Sequence, residues 1–462
     1  MEVFEASPIR KCRCDPIQPS IIQPDEGHGA AARLGMDTRI RGRRQCAPME
    51  SWFNKARFGM FIHWAPCSQR GLELSWPLVG GVGALPDSQS VAVDEYHSTA
   101  RTFNPTKWDA RALARMAKRA GMQYAVLTSK HHDGFSMFHT AHSDYSIEYS
   151  PFKRDIVREY TDAFRAEGLK LGLYYSLIDW HHPDYPAFVE SDKPYKWGNW
   201  RRSTPEQWDR FIKFMFSQMR ELLTNYGKID LLWFDGGWER TPEEWKSREF
   251  LEMIRSLQPE VVINDRIPGY GDYQTLEQAV PPKPPDGPWE TCLTINNSWG
   301  YNPSDKDFKS IRSLIHTLCE VAGKGGNLLL NVSPMGDGAI PPEHVERLEA
   351  IGNWMDRNDE AIVGTDPGLE AWQFYGPSTR RGNRVYLHVL MKPYESVSVR
   401  GVKVRHIGDV RPLASTISLK VRKRISAADT LFNRDPVGEL VIATPDSALD
   451  SIATIIAVDF QR

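Results

Sequence analysis

Asp235 ends an apolar run, Leu231-Leu232-Trp233-Phe234, and is followed at once by Gly236-Gly237-Trp238. A run without alternation suits a strand covered on both faces, as in a parallel sheet. The carboxylate then falls at the C-terminal end of the strand, where α/β folds bind their ligands. The two glycines remove side chains where the chain must turn and a ligand come close. Asp also caps helices and shapes turns, and from this run alone that ordinary role competes with a chemical one. Trp233 and Trp238 tilt the balance, because aromatic rings beside a carboxylate are a frequent way to hold a sugar ring.

Other polar groups fall at comparable places. His63 and Trp64 close a run that begins at Phe58, and Ser129-Lys130-His131-His132-Asp133-Gly134 closes the next. Neighbouring side chains of an extended segment point to opposite sides, so His131 and His132 face one ligand only if the chain bends there. That constraint, with no His-Glu-x-x-His helix, argues against a zinc site and for neutral imidazoles bonded to hydroxyls. Tyr174 lies in the run at 171–176, and Arg266 follows the run at 261–264 as a fixed cation able to offset carboxylate charge. A glycosidase needs a second carboxyl, one group being ionised and the other held protonated. Glu277 and Glu290 are the candidates, each read as lying in irregular, Pro-rich sequence and reaching over the site from a loop. Trp289 offers Glu290 an apolar neighbour of the kind that raises a carboxyl pKa.

The elements that must position these groups alternate. Strands are expected at 58–64, 124–129, 171–176, 229–235, 261–264, 291–295 and 327–332. Helices are expected at 107–120, 155–167, 205–225, 242–257, 305–322 and 341–356, the third opened by Thr204-Pro205. Such alternation argues for a (β/α) barrel or a doubly wound sheet, and the lack of a Gly-x-Gly-x-x-Gly turn after the first strand favours the barrel. Gly323-Lys324-Gly325-Gly326 is no phosphate loop, since no Gly-Lys-Ser/Thr opens a helix after it, and reads as a tight helix-to-strand turn. The expected domains are an irregular leader over 1–48, a catalytic barrel over 49–361 and a C-terminal β-sandwich over 362–462, where short β-rich runs such as 384–390 and 452–458 appear.

A net charge of −2 gives no pull toward nucleic acid or an anionic membrane. Fifteen Trp and sixteen Tyr favour a protein that handles carbohydrate or aromatic ligands. Cys12, Cys14, Cys46, Cys67, Cys292 and Cys319 are scattered without zinc-ribbon spacing and are expected to be mostly free thiols. Residues 1–20 contain no apolar stretch of signal-peptide length and nowhere do eighteen apolar residues run together, so a cytoplasmic location is the default expectation, with secreted or periplasmic placement left open for a trimmed N-terminus.

Several long motifs in order carry a resemblance: FGMFIHWAPCS (58–68), FNPTKWDA (103–110), LTSKHHDGFSMF (127–138), LGLYYSLIDW (171–180), LLWFDGGW (231–238), INDR (263–266), WETCLTINNSWGYN (289–302) and GKGGNLLLNVSPMGDGAI (323–340). Together they resemble the α-L-fucosidases of glycoside hydrolase family twenty-nine, over about residues 50–365. The resemblance implies a TIM-type (β/α)8-like barrel followed by a C-terminal β-sandwich. It implies a retaining exo-hydrolase that removes terminal α-L-fucosyl residues from glycans or fucosides without a cofactor or metal. It places Asp235 on the nucleophile. His63, His131, His132, Tyr174, Trp238 and Arg266 fall on positions that bind the fucose hydroxyls, and Glu73 and Trp76 resemble a sugar-contacting loop. For the acid/base it offers Glu277, in Thr275-Leu276-Glu277, and Glu290, after Trp289; Glu277 is preferred, although Leu276 departs from the Pro of many members. Asp94-Glu95-Tyr96 departs too, since many members have Trp before the Tyr.

The implied partner is a fucosylated glycan or fucoside, with no nucleic acid and no membrane, and a homo-oligomer is left open. Two rival readings remain at this level. One is a fucose-binding, lectin-like protein on a degenerate barrel; the other is a barrel hydrolase with a metal held by His63, His131 and His132.

Overall fold

The computed structural model describes residues 52–81, 90–196 and 201–461. The expected leader, with Cys12, Cys14 and Cys46, lies outside them. Residues 50–462 cluster as one compact unit.

Eight parallel strands form the central sheet: β1 (Phe58–Ile62), β2 (Tyr124–Lys130), β3 (Lys170–Ser176), β4 (Leu231–Asp235), β5 (Val262–Ile263), β6 (Gln274–Glu277), β7 (Trp289–Leu293) and β8 (Asn327–Val332). Their order runs β5-β4-β3-β2-β1-β8-β7-β6. The two edges meet through a parallel bridge between Asn264 and Tyr273, and the Asp272 N–H donates to the Ile263 carbonyl at 2.8 Å, which closes the sheet into a barrel. Six long helices flank it: α1 (Ala110–Arg119), α2 (Ile156–Ala166), α3 (Pro205–Asn225), α4 (Ser247–Leu257), α5 (Ile311–Gly323) and α6 (Pro342–Asn358). Asp109, Asp155, Thr204 and Ser310 cap α1, α2, α3 and α5, each side chain accepting a backbone N–H of the first turn. The Gly323–Gly326 cluster is the turn expected of it, between α5 and β8.

Strand alternation sorts the apolar residues into two layers. Outward-facing Met60, Ile62, Leu173, Leu232, Phe234 and Leu330 pack in the large core with the helices. Inward-facing Phe61, Tyr124, Val126, Tyr174, Leu231, Trp233, Cys292 and Leu329 fill the barrel. The barrel is therefore a packed, mainly apolar core, with the Glu290 carboxyl buried inside it and a cluster of polar side chains at the C-terminal mouth.

Several boundaries differ from the sequence reading. β1 stops at Ile62, while α4 and α5 begin at Ser247 and Ile311, five and six residues later than expected. The larger correction concerns the glutamates, since Glu277 is the last residue of β6 and Glu290 the second residue of β7. Neither reaches in from a loop. β6 is four residues long, polar and partly exposed, so it carries neither an apolar run nor a clean alternation.

Beyond α6 the chain forms two antiparallel sheets. One contains five strands, including Arg384–Val389 and Thr454–Phe460, and the other three, Ser396–Lys403, Val421–Arg424 and Val437–Ala443. They enclose a common apolar core of Val385, Leu387, Val399, Leu440, Ile442 and Ile456, making a sandwich. It is tied to the barrel helices by hydrogen bonds from Trp354 Nε1 to the Ala453 carbonyl (3.0 Å) and from Arg312 to the Ser451 carbonyl (2.8 Å). Among the described residues no helix is long and apolar enough to cross a membrane.

Candidate active site

A cavity of about 270 Å³ opens at the C-terminal mouth of the barrel, lined by Phe61, His63, Leu74, Trp76, His131, His132, Tyr174, Trp233, Asp235, Trp238, Arg266, Glu277, Cys292 and Trp299. Nine of the eleven expected site residues, Asp235, Glu277, His63, Trp76, His131, His132, Tyr174, Trp238 and Arg266, line it, and Glu73 and Glu290 do not.

Asp235 faces inward above Trp233 and Leu231, on the same side of β4. It accepts the Tyr174 hydroxyl at 3.1 Å and an Arg266 N–H at 3.1 Å. Burial alone would raise its pKa, but the Arg266 charge, supported by the Gly236 N–H and the Tyr174 hydroxyl, outweighs it and holds the carboxyl below its ordinary value. The glycines after it are required by geometry. Gly236 has φ +78°, and a Cβ there would meet Ile178 at 2.8 Å. A Cβ on Gly237 would lie 2.4 Å from the Arg266 carbonyl, so its absence lets the Arg266 segment approach the end of β4. The other arm of the Arg266 guanidinium reaches Glu277 at 2.7 Å. One cation thus bridges two carboxylates, the more exposed being Glu277.

The histidines share a design. His63 Nδ1 lies 2.8 Å from Asn331 Oδ1, while the Asn331 amide donates to the Trp299 carbonyl. His132 Nδ1 lies 2.6 Å from Ser176 Oγ, whose hydroxyl donates to the Ile178 carbonyl. Both partners present acceptors, so both Nδ1 atoms carry the proton and both Nε2 atoms keep a lone pair for the cavity. His131 Nδ1 is held by Ser75 Oγ at 2.6 Å. Burial pushes all three pKa values down, to about 4 for His63 and His132 and well below the ordinary value for His131, so the rings are neutral at neutral pH. The bend needed to bring His131 and His132 to one side is present: the β2–β3 register shifts between Thr128 and Lys130, and the two rings lie 4.3 Å apart in the cavity wall. Among the described residues no group of three His, Cys, Asp or Glu side chains is arranged to hold a metal ion.

Two expected site residues are placed elsewhere. Glu73 is buried behind the wall, where it accepts the Trp299 and Gly300 N–H groups at 2.6 and 3.0 Å and so shapes the loop that carries Trp299. Burial pushes its carboxyl up to about 8 against those two bonds. Glu290 is fully buried below the cavity floor, in contact with Tyr124, Trp233 and Tyr273. Trp289 is not its apolar neighbour, since adjacent strand residues face opposite sides and Trp289 packs in the outer core. Burial among the inner rings raises Glu290 to about 7. At the departure from the family pattern, Tyr96 is buried and donates to Asp133 at 2.8 Å, whereas Glu95 pairs with Arg70 on the surface.

Sequence reasoning did not assign Trp299, Asn331, Ser75 or Ser176. Trp299 carried a signal, a large ring among Asn, Ser and Gly just after a strand; the others act only through a histidine and carried none. Of the six cysteines, Cys67, Cys292 and Cys319 are described, and all three are free and buried.

The α-L-fucosidase family profile matches residues 37–360. The chain belongs to that family. It is 33% identical over 381 residues to the tissue α-L-fucosidase of Homo sapiens, covering 76% of this chain and 77% of the relative. It is 30% identical over 423 residues to the α-L-fucosidase of Dictyostelium discoideum, covering 84% and 87%. Among solved structures, α-L-fucosidase isoenzyme 1 from Paenibacillus thiaminolyticus superposes with a TM-score of 0.77 at 36% identity, covering 89% of this chain and 98% of that one. A family twenty-nine α-L-fucosidase from Bacteroides thetaiotaomicron, trapped as a covalent intermediate with 2-fluoro-fucosyl fluoride, superposes with a TM-score of 0.75 at 26% identity, covering 89% and 95%. The barrel and C-terminal sandwich are thus the architecture of a fucosidase-family chain.

Proposed function

We propose that the protein is a retaining exo-α-L-fucosidase that hydrolyses terminal α-L-fucosyl residues by double displacement, with Asp235 as nucleophile and Glu277 as acid/base. The observation that carries the assignment is the Arg266 guanidinium holding Asp235 on one arm and Glu277 on the other at the mouth of a blind cavity. That single planar fork supports the close carboxyl spacing of about 5–5.5 Å used in retention, rather than the wider gap that leaves room for water.

In the first step an Asp235 oxygen attacks the anomeric carbon while the protonated Glu277 gives its proton to the departing glycosidic oxygen. The products are the aglycone alcohol and a β-fucosyl ester of Asp235. In the second, Glu277 takes a proton from water, whose oxygen attacks the anomeric carbon and releases the Asp235 carboxylate, giving α-L-fucose. The low pKa of Asp235 keeps it ionised for attack. The His63 and His132 Nε2 lone pairs accept from sugar hydroxyls, and Phe61, Leu74 and Trp299 offer an apolar surface to the 6-deoxy methyl group. Trp238, 40% exposed, stands at the entrance where an aglycone leaves.

The reading is tested by following the anomers during hydrolysis of an aryl α-L-fucoside by NMR. α-L-fucose should appear first and mutarotate afterwards. β-L-fucose as the first product would overturn the retaining mechanism, and binding of fucose without turnover would favour a lectin-like protein.

A further inference from the structure

Glu290 is a buried carboxyl that the proposed mechanism leaves unused. It points into the barrel one layer below the cavity, since Cys292, two residues further along the same face of β7, lines the floor. Three side chains converge on it from other parts of the barrel. The Trp233 indole N–H of β4 donates to Oε1 at 3.0 Å, and the Tyr273 hydroxyl, just before β6, approaches the same oxygen at 3.3 Å. The Tyr124 hydroxyl, from the first residue of β2, bonds to Oε2. No cation appears among these partners; the carboxyl is held by neutral donors in an aromatic layer that also contains Phe53 and Phe61.

Trp233 is the connection upward. Its ring stacks on Tyr174, with centroids 5.5 Å apart and planes 20° apart, and the Arg266 guanidinium lies over it at 5.2 Å. Tyr174 and Arg266 are the two side chains that hydrogen-bond Asp235. The indole is thus the base on which both donors rest, and its N–H has Glu290 as partner. An indole with its N–H fixed cannot rotate in its plane, and a base that cannot rotate holds its two stacked neighbours in register with the carboxylate above.

We propose that Glu290 is a positioning residue for the nucleophile: it fixes the Trp233 indole, and through it the Tyr174 and Arg266 clamp on Asp235, and it transfers no proton to substrate. The proposal rests on Asp235 being the nucleophile. It removes Glu290 as a rival to Glu277 and gives a physical reason for a carboxyl at the barrel axis.

The test uses the full chain with Glu290→Leu, which removes the acceptor, Trp233→Phe, which removes the donor, and the double variant, assayed on two aryl α-L-fucosides, one with a good and one with a poor leaving group. Each single variant should lower kcat by about 100-fold, the cost of a small displacement at the reacting centre, and by the same factor on both substrates. Azide should not restore the rate. The double variant should be no slower than the worse single one, because both break one link. The acidic limb of kcat/KM should move to higher pH in both, since Asp235, which faces Arg266, Glu277, His132, Tyr174, His63 and Cys292, loses part of the support that lowers its pKa. Trp233→Phe keeps a ring in the layer and serves if Glu290→Leu does not fold. A loss confined to the poor leaving group, with azide giving α-fucosyl azide from Glu290→Leu, would make Glu290 the acid/base and overturn the proposal. Wild-type activity in Trp233→Phe, or additive losses, would also overturn it. An Asp235→Gly control separates the two readings, because retained hydrolysis there removes the nucleophile assignment whatever Glu290 does.

Discussion

Glu277 and Glu290 stand on adjacent strands and differ by one layer of the barrel. In the β6–β7 register Glu277 pairs with Cys292 and Glu290 with Thr275, two residues or about 6.6 Å deeper along the strands. At the mouth, Glu277 shares a guanidinium with Asp235 and meets solvent. Inside, Glu290 is fully buried and meets only neutral donors. The mouth therefore provides what bond cleavage needs: compensated charge, access for water and a path for the leaving group. The inner layer provides rigidity. Position along the strand decides the role of the carboxyl more than its chemistry does.

The largest effect that could break this contrast comes from Asp235→Gly, expected to lower hydrolysis on the order of 10^4-fold. Azide should then attack the α-fucoside directly and give β-fucosyl azide; a near wild-type rate would remove the mouth as the reacting centre. Glu277→Ala should cost about 10^2- to 10^4-fold on a substrate with a poor leaving group and much less on an activated one. Its rescue by azide should yield α-fucosyl azide, as azide displaces Asp235 from the β-fucosyl ester. Equal losses on both substrates without rescue would move the acid/base away from Glu277.

Arg266→Gln sharpens the electrostatic half of the comparison, with a loss of about 10^2- to 10^3-fold. Asp235 must be ionised to attack, and removing the cation that lowers its pKa raises it, so the acidic limb of kcat/KM should shift to higher pH. An unmoved limb would mean that another group sets it. The smallest effect is on stability, and it belongs to the inner layer. The Glu290 carboxyl is raised from 4.5 to about 7, so across that interval the folded chain keeps a proton that the unfolded chain has lost, and stability falls as pH rises. Glu290→Gln should flatten that decline, by on the order of a few kcal/mol at most, as read from Tm between pH 5 and pH 7. An unchanged slope would show that Glu290 does not hold a proton in the folded state.

How much of this was legible in the sequence follows the same division. Strands β1, β2, β3, β4 and β8 are covered on both faces and announced themselves as apolar runs, and the polar groups at their ends, His63, His131, His132 and Asp235, were found with them. β6 escaped because Gln274-Thr275-Leu276-Glu277 is short and half exposed, and Glu277 was expected from a loop for that reason. Glu290 was misjudged for a different reason. The strand period does not say which face is inward, so Trp289 passed for its neighbour when the true neighbours come from β2, β4 and the residue before β6. Glu73 was expected at the sugar from its motif, and only the fold shows its carboxylate spent on the Trp299 and Gly300 amides. Long-range partners of this kind have no local signature.

The central claim is that Asp235 forms the bond to the sugar, and trapping tests it most directly. After incubation with 2-fluoro-fucosyl fluoride and proteolysis, peptide mass spectrometry should find the added 2-fluoro-fucosyl group on Asp235 alone, and no label in Asp235→Gly. Label on Glu277 or Glu290 in the wild-type chain would contradict the account.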